Sequence, residues 1–444
     1  MAQAIKGPST EDLMSMWNAS GLKQKILFTF LMIAVWRFGV QMPLYGINNA
    51  VFANIASGNN IIGFLDLFAG GALSKVSILA LGIGPFITSS IIVQLVSVVI
   101  PALEKLQKEE GEDGRRKLSQ YTRLFTVVLA VFQAFVFMLY LHHLPGSIIS
   151  TVNPVLFYIN SICVLTAGAV LVMWISELIT ENGIGNGGSL VIFCGILCGI
   201  PLYAHNTFEL VKSNTRMQLA LLVLLAIFFA ATVLVVIMQE AVRKVVIVNP
   251  KRQIGNKVYG GMNSFIPFKL NPGGVMPIIF AIAILLFPST VLAIAGQANL
   301  PTNIKTVVMS LNQFFSPDGW LYYLIYIGLI IALTFFYASI MPNMQPKDIA
   351  DNLKKYGSSI PGVKPGRPTA EAIDKILSKT TFIGAVALGV IALVPSFASH
   401  ITHIQTLQGI GATSLIIMVG VALDLINQVR SHLLARNYES FLKE

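Results

Sequence analysis

Three glycines, Gly183, Gly185 and Gly188, have the G-x-G-x-x-G spacing of a dinucleotide-binding loop. In that loop the glycines let the backbone approach a pyrophosphate, but the loop must follow a β-strand and open a helix. Here long apolar runs flank the motif on both sides and no strand pattern precedes it. We therefore predict a tight turn between two helices, in which glycine supplies positive φ angles.

The remaining reactive residue types lack the spacing that catalysis or metal binding requires. Five of the six histidines fall at the ends of apolar runs or between them: His142, His143, His205, His400 and His403. The cysteines lie within such runs and are expected to act as small packing residues: Cys163, Cys194 and Cys198. No P-loop, zinc-protease motif or nucleophile elbow is present. We expect no enzyme activity, no metal and no cofactor.

Arg37 is a basic residue inside the first apolar run. An ionisable side chain at membrane depth is a functional candidate by default. The alternative is that it snorkels to the interface or pairs with a backbone carbonyl. The other apolar runs have no Asp, Glu or Lys in their interiors, which argues against an ion-coupled transporter.

The aliphatic pair Ile83 and Ile87 suggests a way of closing a water-filled path that needs no polar group. Residues four apart project from one helix face, and here Gly82, Gly84 and Pro85 interrupt regular helix packing. A ring of aliphatic side chains can close a water-filled path by dewetting. The alternative for any Ile pair in a membrane helix is ordinary core packing.

Membrane-spanning helices must position these residues. The 444-residue chain is 55% hydrophobic and 11% charged, and apolar runs of roughly 20 residues, enough to cross a ~30 Å hydrocarbon core, recur along it. They predict ten spans, at 25–43, 76–100, 123–141, 155–177, 189–205, 217–239, 274–296, 320–340, 381–398 and 411–428.

The basic residues define the topology of these spans. Most of the 30 Lys and Arg residues lie in the two terminal segments and in loops 101–123, 241–272 and 341–380. The positive-inside rule puts all of these in the cytosol. We predict a cytosolic N-terminal segment (1–24), an N-terminal half (25–205), a C-terminal half (206–428) and a cytosolic tail (429–444).

Two features predict an inverted repeat with a re-entrant segment. Segment 61–74 is apolar but too short to cross, and it contains Asp66, so we expect a half-helix surrounded by protein or water. Glycine and proline residues interrupt the start of the second span, and those from Pro272 to Pro277 interrupt the start of the seventh. Matched breaks in two five-span halves indicate a site at the interface of the repeats.

Two cytosolic loops carry local structure. The β-branched run 245–248 and the run 257–259 flank Asn249 and Pro250, which predicts a hairpin with a basic tip. The loop 341–380 predicts a helix at 346–355 and a second one at 371–377 with Thr369 as its N-cap.

Four loop segments have long and specific motifs: FAGGA at 68–72, KEEGEDGRRKLSQYTR at 108–123, NGIGNGGS at 182–189 and DNLKKYGSSIPGVKP at 351–365. These motifs, together with the order of all ten spans, closely resemble the SecY family, the channel subunits of the bacterial protein translocase. The resemblance implies an all-α polytopic membrane protein. Its ten transmembrane helices would form two inverted five-helix halves, arranged as a clamshell around an hourglass pore with a re-entrant plug helix.

The resemblance also assigns the pore ring and the plug. The ring positions fall on Ile83, Ile87, Gly188, Ile192, Ile279 and Ile417. Because Gly188 has no side chain, the ring has a gap there unless Leu190 or Val191 fills it. Residues 61–74, called the plug segment below, would seal the external funnel, with Phe64, Asp66, Leu67, Phe68, Gly70 and Gly71 in it.

Spans two and three against seven and eight would form a lateral gate, with Thr88, Gln94 and Asn271 adjusting its closing energy. The docking surface for the SecA motor or the ribosome would comprise Arg243, Lys244, Lys251, Arg252, Lys364 and Arg367. The family usually has Arg where this chain has Lys364, which weakens a bidentate grip, although Arg367 is close enough to substitute. The further partners implied are SecE, SecG, signal-bearing precursor polypeptides and membrane lipids.

The function implied is that of the central subunit of the Sec translocon. This is a gated protein-conducting channel that passes unfolded secretory polypeptides and releases membrane segments sideways into lipid. One alternative is an ion-coupled secondary transporter of a small solute; another is a scaffold that inserts membrane proteins without an aqueous pore. The membrane would be the bacterial plasma (inner) membrane, with a thylakoid as the alternative.

Overall fold

The structure, a computed structural model, describes residues 20–48, 66, 69–108, 111–143, 146, 148, 154–212, 215–249, 252–254, 257–259, 263–297, 301–315, 319–340, 345–402 and 412–441. Helices dominate, as expected where lipid cannot satisfy backbone polar groups. In these ranges, seven helices are long and apolar enough to cross a membrane, and Gly84–Val99 and Met276–Leu285 are shorter apolar helices.

Thirteen helices follow one another along these ranges. They are α1 (Ser20–Val40), α2 (Gly84–Val99), α3 (Pro101–Lys108), α4 (Gly111–His143), α5 (Pro154–Asn182), α6 (Gly187–Lys212), α7 (Thr215–Glu240), α8 (Met276–Gln297), α9 (Thr302–Phe315), α10 (Trp320–Ile340), α11 (Pro346–Tyr356), α12 (Arg367–Thr402) and α13 (Ala412–Phe441). A helix lies at each of the ten predicted spans, and α11 confirms the helix predicted at 346–355.

Four strands lie between α7 and α8: β1 (Val242–Val248), β2 (Arg252–Ile254), β3 (Lys257–Tyr259) and β4 (Asn263–Lys269). The predicted pairing of 245–248 with 257–259 is wrong. Instead β1 pairs antiparallel with β4, with Val242 opposite Lys269 and Val248 opposite Asn263, while β2 pairs with β3. Val245 and Ile247 of β1 and Phe268 of β4 are buried together in one core, so these two strands share a buried face, which the short β3 cannot offer.

Several predicted boundaries also differ. The second span begins as a helix only at Gly84, because Gly82 has φ +56° and Pro85 lies in the first turn of α2. The separate helix predicted at 371–377 is the start of the long α12. Thr369 is not its N-cap: it lies inside the first turn, and its hydroxyl donates to the Lys364 carbonyl at 2.8 Å.

The chain divides into two compact units, of which the first comprises residues 1–206, 290–310 and 421–444. Within it α4 packs on α2 and α5, and α1 packs on α5. Close approaches depend on glycine: a Cβ atom on Gly187 would overlap the Ser176 carbonyl oxygen, and one on Gly168 would overlap that of Ile78. These contacts fix where α6 begins and where the chain before α2 crosses α5.

The second unit comprises residues 207–289 and 311–420. Its central helix is α12, which packs on α7, α10 and α11 and also contacts β4. Glycine again permits the closest crossings, since a Cβ atom on Gly384 would overlap the Leu270 carbonyl and one on Gly420 would overlap the Val275 side chain. The turn that opens α8 is therefore held between α12 and α13.

Candidate functional site

The glycine motif at 183–188 is a turn between α5 and α6, as predicted, and its amides are already occupied. The Gly185 N–H donates to Gln428 Oε1 at 2.8 Å and the Gly187 N–H to Thr180 Oγ1 at 2.9 Å. Asn186 Oδ1 accepts from the Gly188 N–H at 3.0 Å, capping α6. Amides paired in this way do not form a phosphate cradle, so the turn positions the start of α6.

Two proposed ring residues of the first unit, Ile83 and Ile87, lie at the start of α2. Ile83 is the N-cap residue, just outside the helix, and only 1% of its surface is exposed. The Ile87 N–H donates to the Ile83 carbonyl at 3.1 Å, so the two residues are one helical turn apart. The break at Gly84 and Pro85 thus places Ile83 at the point where the helix begins.

Gly188 and Ile192, on α6, supply the other two proposed ring positions of this unit. Ile192 is 1% exposed. A Cβ atom on Gly188 would lie 3.5 Å from Ile83 Cδ1, so Ile83 borders the space left by the missing side chain. Leu190 does not fill that space, because it packs against Gly185, with its Cδ1 3.1 Å from the Cβ position there.

In the second unit the proposed ring residues are Ile279 on α8 and Ile417 on α13, 4% and 0% exposed. The side chain of Val275 packs directly over Gly420. Ile279 lies one turn after Val275, to whose carbonyl its N–H donates at 3.2 Å, and Ile417 lies one turn before Gly420. The Val275 and Gly420 contact therefore sets the position of both residues.

The plug segment is described only in part: Phe64, Leu67 and Phe68 lie outside the described residues. Asp66 Oδ1 accepts from the Ser74 N–H at 2.8 Å, and the Asp66 carbonyl accepts from the Gly71 N–H at 2.9 Å. These bonds tie Asp66 to Gly71 and Ser74 in a compact turn. Gly70 and Gly71 have φ angles of +68° and +83°, which residues with a side chain rarely adopt.

Residues of α1 and α6, together with Gly82 just before α2, surround this turn. Arg37 Nη1, in the last turn of α1, donates to the Gly70 carbonyl at 2.6 Å. Trp36 and Gly195 border Gly70, and Ala69 Cα lies 3.1 Å from the Cβ position of Gly82. Arg37 was recognisable as a charge in an apolar run, whereas the packing residues had no local signal.

The three polar residues assigned to the lateral gate bond locally. Thr88 Oγ1 donates to the Gly84 carbonyl at 3.0 Å and Gln94 Nε2 to Ser90 Oγ at 3.1 Å, both within α2. Asn271, which is 1% exposed, donates from Nδ2 to the Gly274 carbonyl at 2.6 Å. Within the part of the chain that the structure describes, Asn271 Oδ1 has no hydrogen-bond partner.

The two loops of the second unit that were predicted to be cytosolic form one packed body, which the sequence did not predict. Its core contains residues of both loops: Val245, Ile247, Phe268, Leu353, Ile360 and Ile373. Val248 and Ser359 exchange backbone hydrogen bonds at 2.9 and 3.1 Å, and Ser358 Oγ donates to Asn249 Oδ1 at 2.8 Å. Residues 242–248, 263–269 and 345–377 are called the cytosolic body below.

Four of the six proposed docking residues lie on this body with their side chains outward. Arg243 and Lys364 are exposed, and Lys244 Nζ lies 4.9 Å from the centre of the Phe265 ring. Arg367 is exposed and forms an ion pair with Glu371 at 3.2 Å. Lys251 lies outside the described residues, and Arg252 is described only as the first residue of β2.

The SecY family model matches residues 77–426 of this chain. A protein translocase subunit SecY from Synechococcus elongatus is 44% identical over 442 residues, covering 98% of this chain and 97% of that protein. The Escherichia coli protein of the same name is 39% identical over 426 residues, covering 95% and 94%. A relative from Pyropia yezoensis is 40% identical over 435 residues, covering 96% of this chain and the whole of that protein.

Solved structures share the fold at low sequence identity. A structure of a protein conducting channel matches with a TM-score of 0.65 at 15% identity, covering 97% of this chain and 94% of that one. Sec61 in a canine ribosome-channel complex matches with a TM-score of 0.60 at 14% identity and the same coverage. The predicted fold class, a helical protein with many membrane spans, is confirmed.

Proposed function

The chain belongs to the SecY family of protein translocase subunits, and we propose that it forms a gated path for unfolded secretory polypeptides and releases membrane segments sideways into lipid. It is a multi-pass membrane protein. The observation that carries the proposal is that the plug segment packs beside the start of the proposed ring. Ala69 lies against Gly82, and the next residue along the chain is the ring residue Ile83.

The chemistry of the ring suits a seal that must open for diverse chains. Ile83, Ile192, Ile279 and Ile417 are aliphatic and nearly buried. Such side chains exclude water and ions by dewetting but form no specific bonds to a passing polypeptide. Gly188 widens the ring beside Ile83 and gives the resting seal a weak point.

The chain performs no bond chemistry of its own. The energy for transport comes from a bound motor, from elongation on a ribosome, or from the membrane potential. Among these partners, the SecA motor and the ribosome are both candidates for the cytosolic body, whose basic side chains face outward. An acidic or nucleic-acid surface complements such a patch.

The proposed lateral gate comprises spans two and three together with spans seven and eight. Asn271 supports its assignment there, because a buried amide with one bonded end and one unbonded end is costly. If Asn271 Oδ1 gains a hydrogen-bond partner when the gate opens, this cost disappears and the free energy of the open state falls relative to the closed state. SecE and SecG are the proposed small subunits, the membrane is a plasma (inner) membrane or a thylakoid, and both termini are cytosolic.

Ion conductance of reconstituted vesicles tests the proposal. Deletion of residues 61–74, or replacement of Ile87 and Ile279 by Gly, is expected to raise the resting conductance because each change removes part of the seal. A resting channel that stays as tight as the parent in both variants contradicts the plug and ring assignments. A transporter would instead accumulate solute, driven by an ion gradient. An insertion scaffold would show no conductance after the deletion.

A further inference from the structure

Arg37 and the plug segment are joined by a short charged hydrogen bond. Arg37 Nη1 lies 2.6 Å from the Gly70 carbonyl oxygen, although the two residues are 33 positions apart. Hydrogen bonds with an ionised donor are stronger than neutral ones, and more so where water is partly excluded. Arg37 is half-buried, and the negative end of the α1 dipole favours a cation in its last turn.

The packing around Gly70 holds its carbonyl toward Arg37. A Cβ atom on Gly70 would lie 2.5 Å from the Trp36 ring and 3.2 Å from Gly195 Cα. Trp36 is 1% exposed. The backbone at Gly70 therefore lies directly on α1 and α6, in a space that no larger residue fits.

The rest of the turn is bonded to itself. The Asp66 carboxylate and carbonyl accept from the Ser74 and Gly71 N–H groups. The acidic side chain is thereby used inside the plug segment and does not pair with Arg37 in the described contacts. Arg37 thus binds the backbone of the plug segment rather than a side chain in it.

We propose that Arg37 is the positioning residue that latches the plug segment to α1 in the closed channel. The inference rests on the proposed function, since it assumes that residues 61–74 are the plug. Opening requires the hydrogen bond from Arg37 to Gly70 to break. Arg37 therefore determines how often the plug segment moves out of its closed position. Breaking it needs no change in the ring itself.

Thiol labelling measures this directly. In the full-length chain with Cys163, Cys194 and Cys198 changed to Ala, Ala69→Cys places a thiol that is buried beside Gly82. A membrane-impermeant maleimide reacts only when the segment lifts, so the rate follows the open population. Arg37→Met is expected to raise the rate about tenfold, equivalent to roughly 1.4 kcal/mol for one charged hydrogen bond.

Two controls test whether the effect is specific to Arg37 and confined to the plug segment. Lys75→Met removes an exposed cation of the same region, bonded to Gln41 Oε1 at 2.6 Å, and should change the rate by less than about twofold. Ala169→Cys, buried in α5, should stay unlabelled with or without Arg37. The latch is overturned if Arg37→Met leaves the Ala69→Cys rate unchanged, if Lys75→Met raises it equally, or if Ala169→Cys becomes reactive as well.

The conductance of the 61–74 deletion separates the two ideas. If that deletion raises conductance but Arg37→Met does not speed labelling, the channel assignment stands and the latch is wrong. If labelling responds to Arg37 but the deletion leaves conductance unchanged, Arg37 holds the segment and the segment is not the plug, which overturns the proposal as stated.

Discussion

The Cδ1 atom of Ile83 lies 3.5 Å from the position that a Cβ atom on Gly188 would occupy. This is ordinary van der Waals distance, so a methyl group at Gly188 would touch Ile83 without displacing it. The neighbouring Gly187 is different, because its Cβ atom would overlap the Ser176 carbonyl. The tightest neighbour of a methyl group at Gly188 would be Asn186 Oδ1 at 3.3 Å, so Gly188 tolerates this substitution far better than Gly187 does.

We predict that Gly188→Ala lowers the resting ion conductance of reconstituted vesicles, because the methyl group fills the space beside Ile83. Gly187→Ala is the matched control and should destabilise the protein by about 1–3 kcal/mol through overpacking. Conductance and thermal unfolding in detergent measure the two effects. A Gly188→Ala channel that leaks as much as the parent would show that the gap is not part of the seal.

A second prediction concerns the cytosolic body. Ile373 is fully buried in its core, so Ile373→Ala should destabilise it by about 2–5 kcal/mol. Amide hydrogen exchange in β1 and β4 should speed up, with the spans unaffected. Val246, 48% exposed on β1, supplies the control, since Val246→Ala removes a side chain outside the core. Equal exchange in both variants would argue that the two loops are not one body.

Lys364 is exposed on the cytosolic body. Lys364→Arg should strengthen binding of the SecA motor several-fold if the partner presents carboxylates or phosphates, because guanidinium binds such groups in a bidentate manner. Lys364→Gln should weaken it. Affinity measured at fixed ionic strength tests both. Identical affinities for the Arg and Gln variants would remove Lys364 from the docking surface.

Glu371 provides an independent test of the same surface. Its carboxylate pairs with Arg367 at 3.2 Å, and both side chains are largely exposed. The pair itself contributes little stability, about 0.3–0.5 kcal/mol, but it occupies Arg367. Glu371→Gln should therefore leave thermal stability unchanged and increase affinity for an anionic partner. An unchanged or lower affinity would indicate that Arg367 does not contact the partner.

Asn271 should be more sensitive than Thr88 to loss of its polar group. Asn271→Ala leaves the Gly274 carbonyl without its donor at a buried turn, which costs about 1–3 kcal/mol. Thr88→Val removes a hydroxyl bonded to the carbonyl of its own helix four residues back, which helix geometry already pairs. Thermal unfolding of the two variants compares them, and a larger loss in Thr88→Val would contradict the prediction.

The sequence was a reliable guide where a local cost decides the structure. All ten apolar runs became helices because unpaired backbone groups are too costly in lipid, and the glycine turn at 183–188 followed from its position between two such runs. Pro346 and Gly357 bound α11 by the usual start and stop signals. The glycines and the proline at 82–85 were visible as a break in the second span, but the apolar run alone did not show that α2 begins only at Gly84.

Tertiary structure decided everything that depends on residues distant along the chain. The pairing of β1 with β4 requires a shared buried face on α11 and α12, and the nearer β3 cannot supply it. Thr369 has the residue type of an N-cap, yet Gly366 and Lys364 place it inside the helix. The sequence by itself determined which segments span the membrane and that Arg37 was unusual. Only the folded chain determined that Arg37 holds Gly70, because that bond depends on two segments meeting in space.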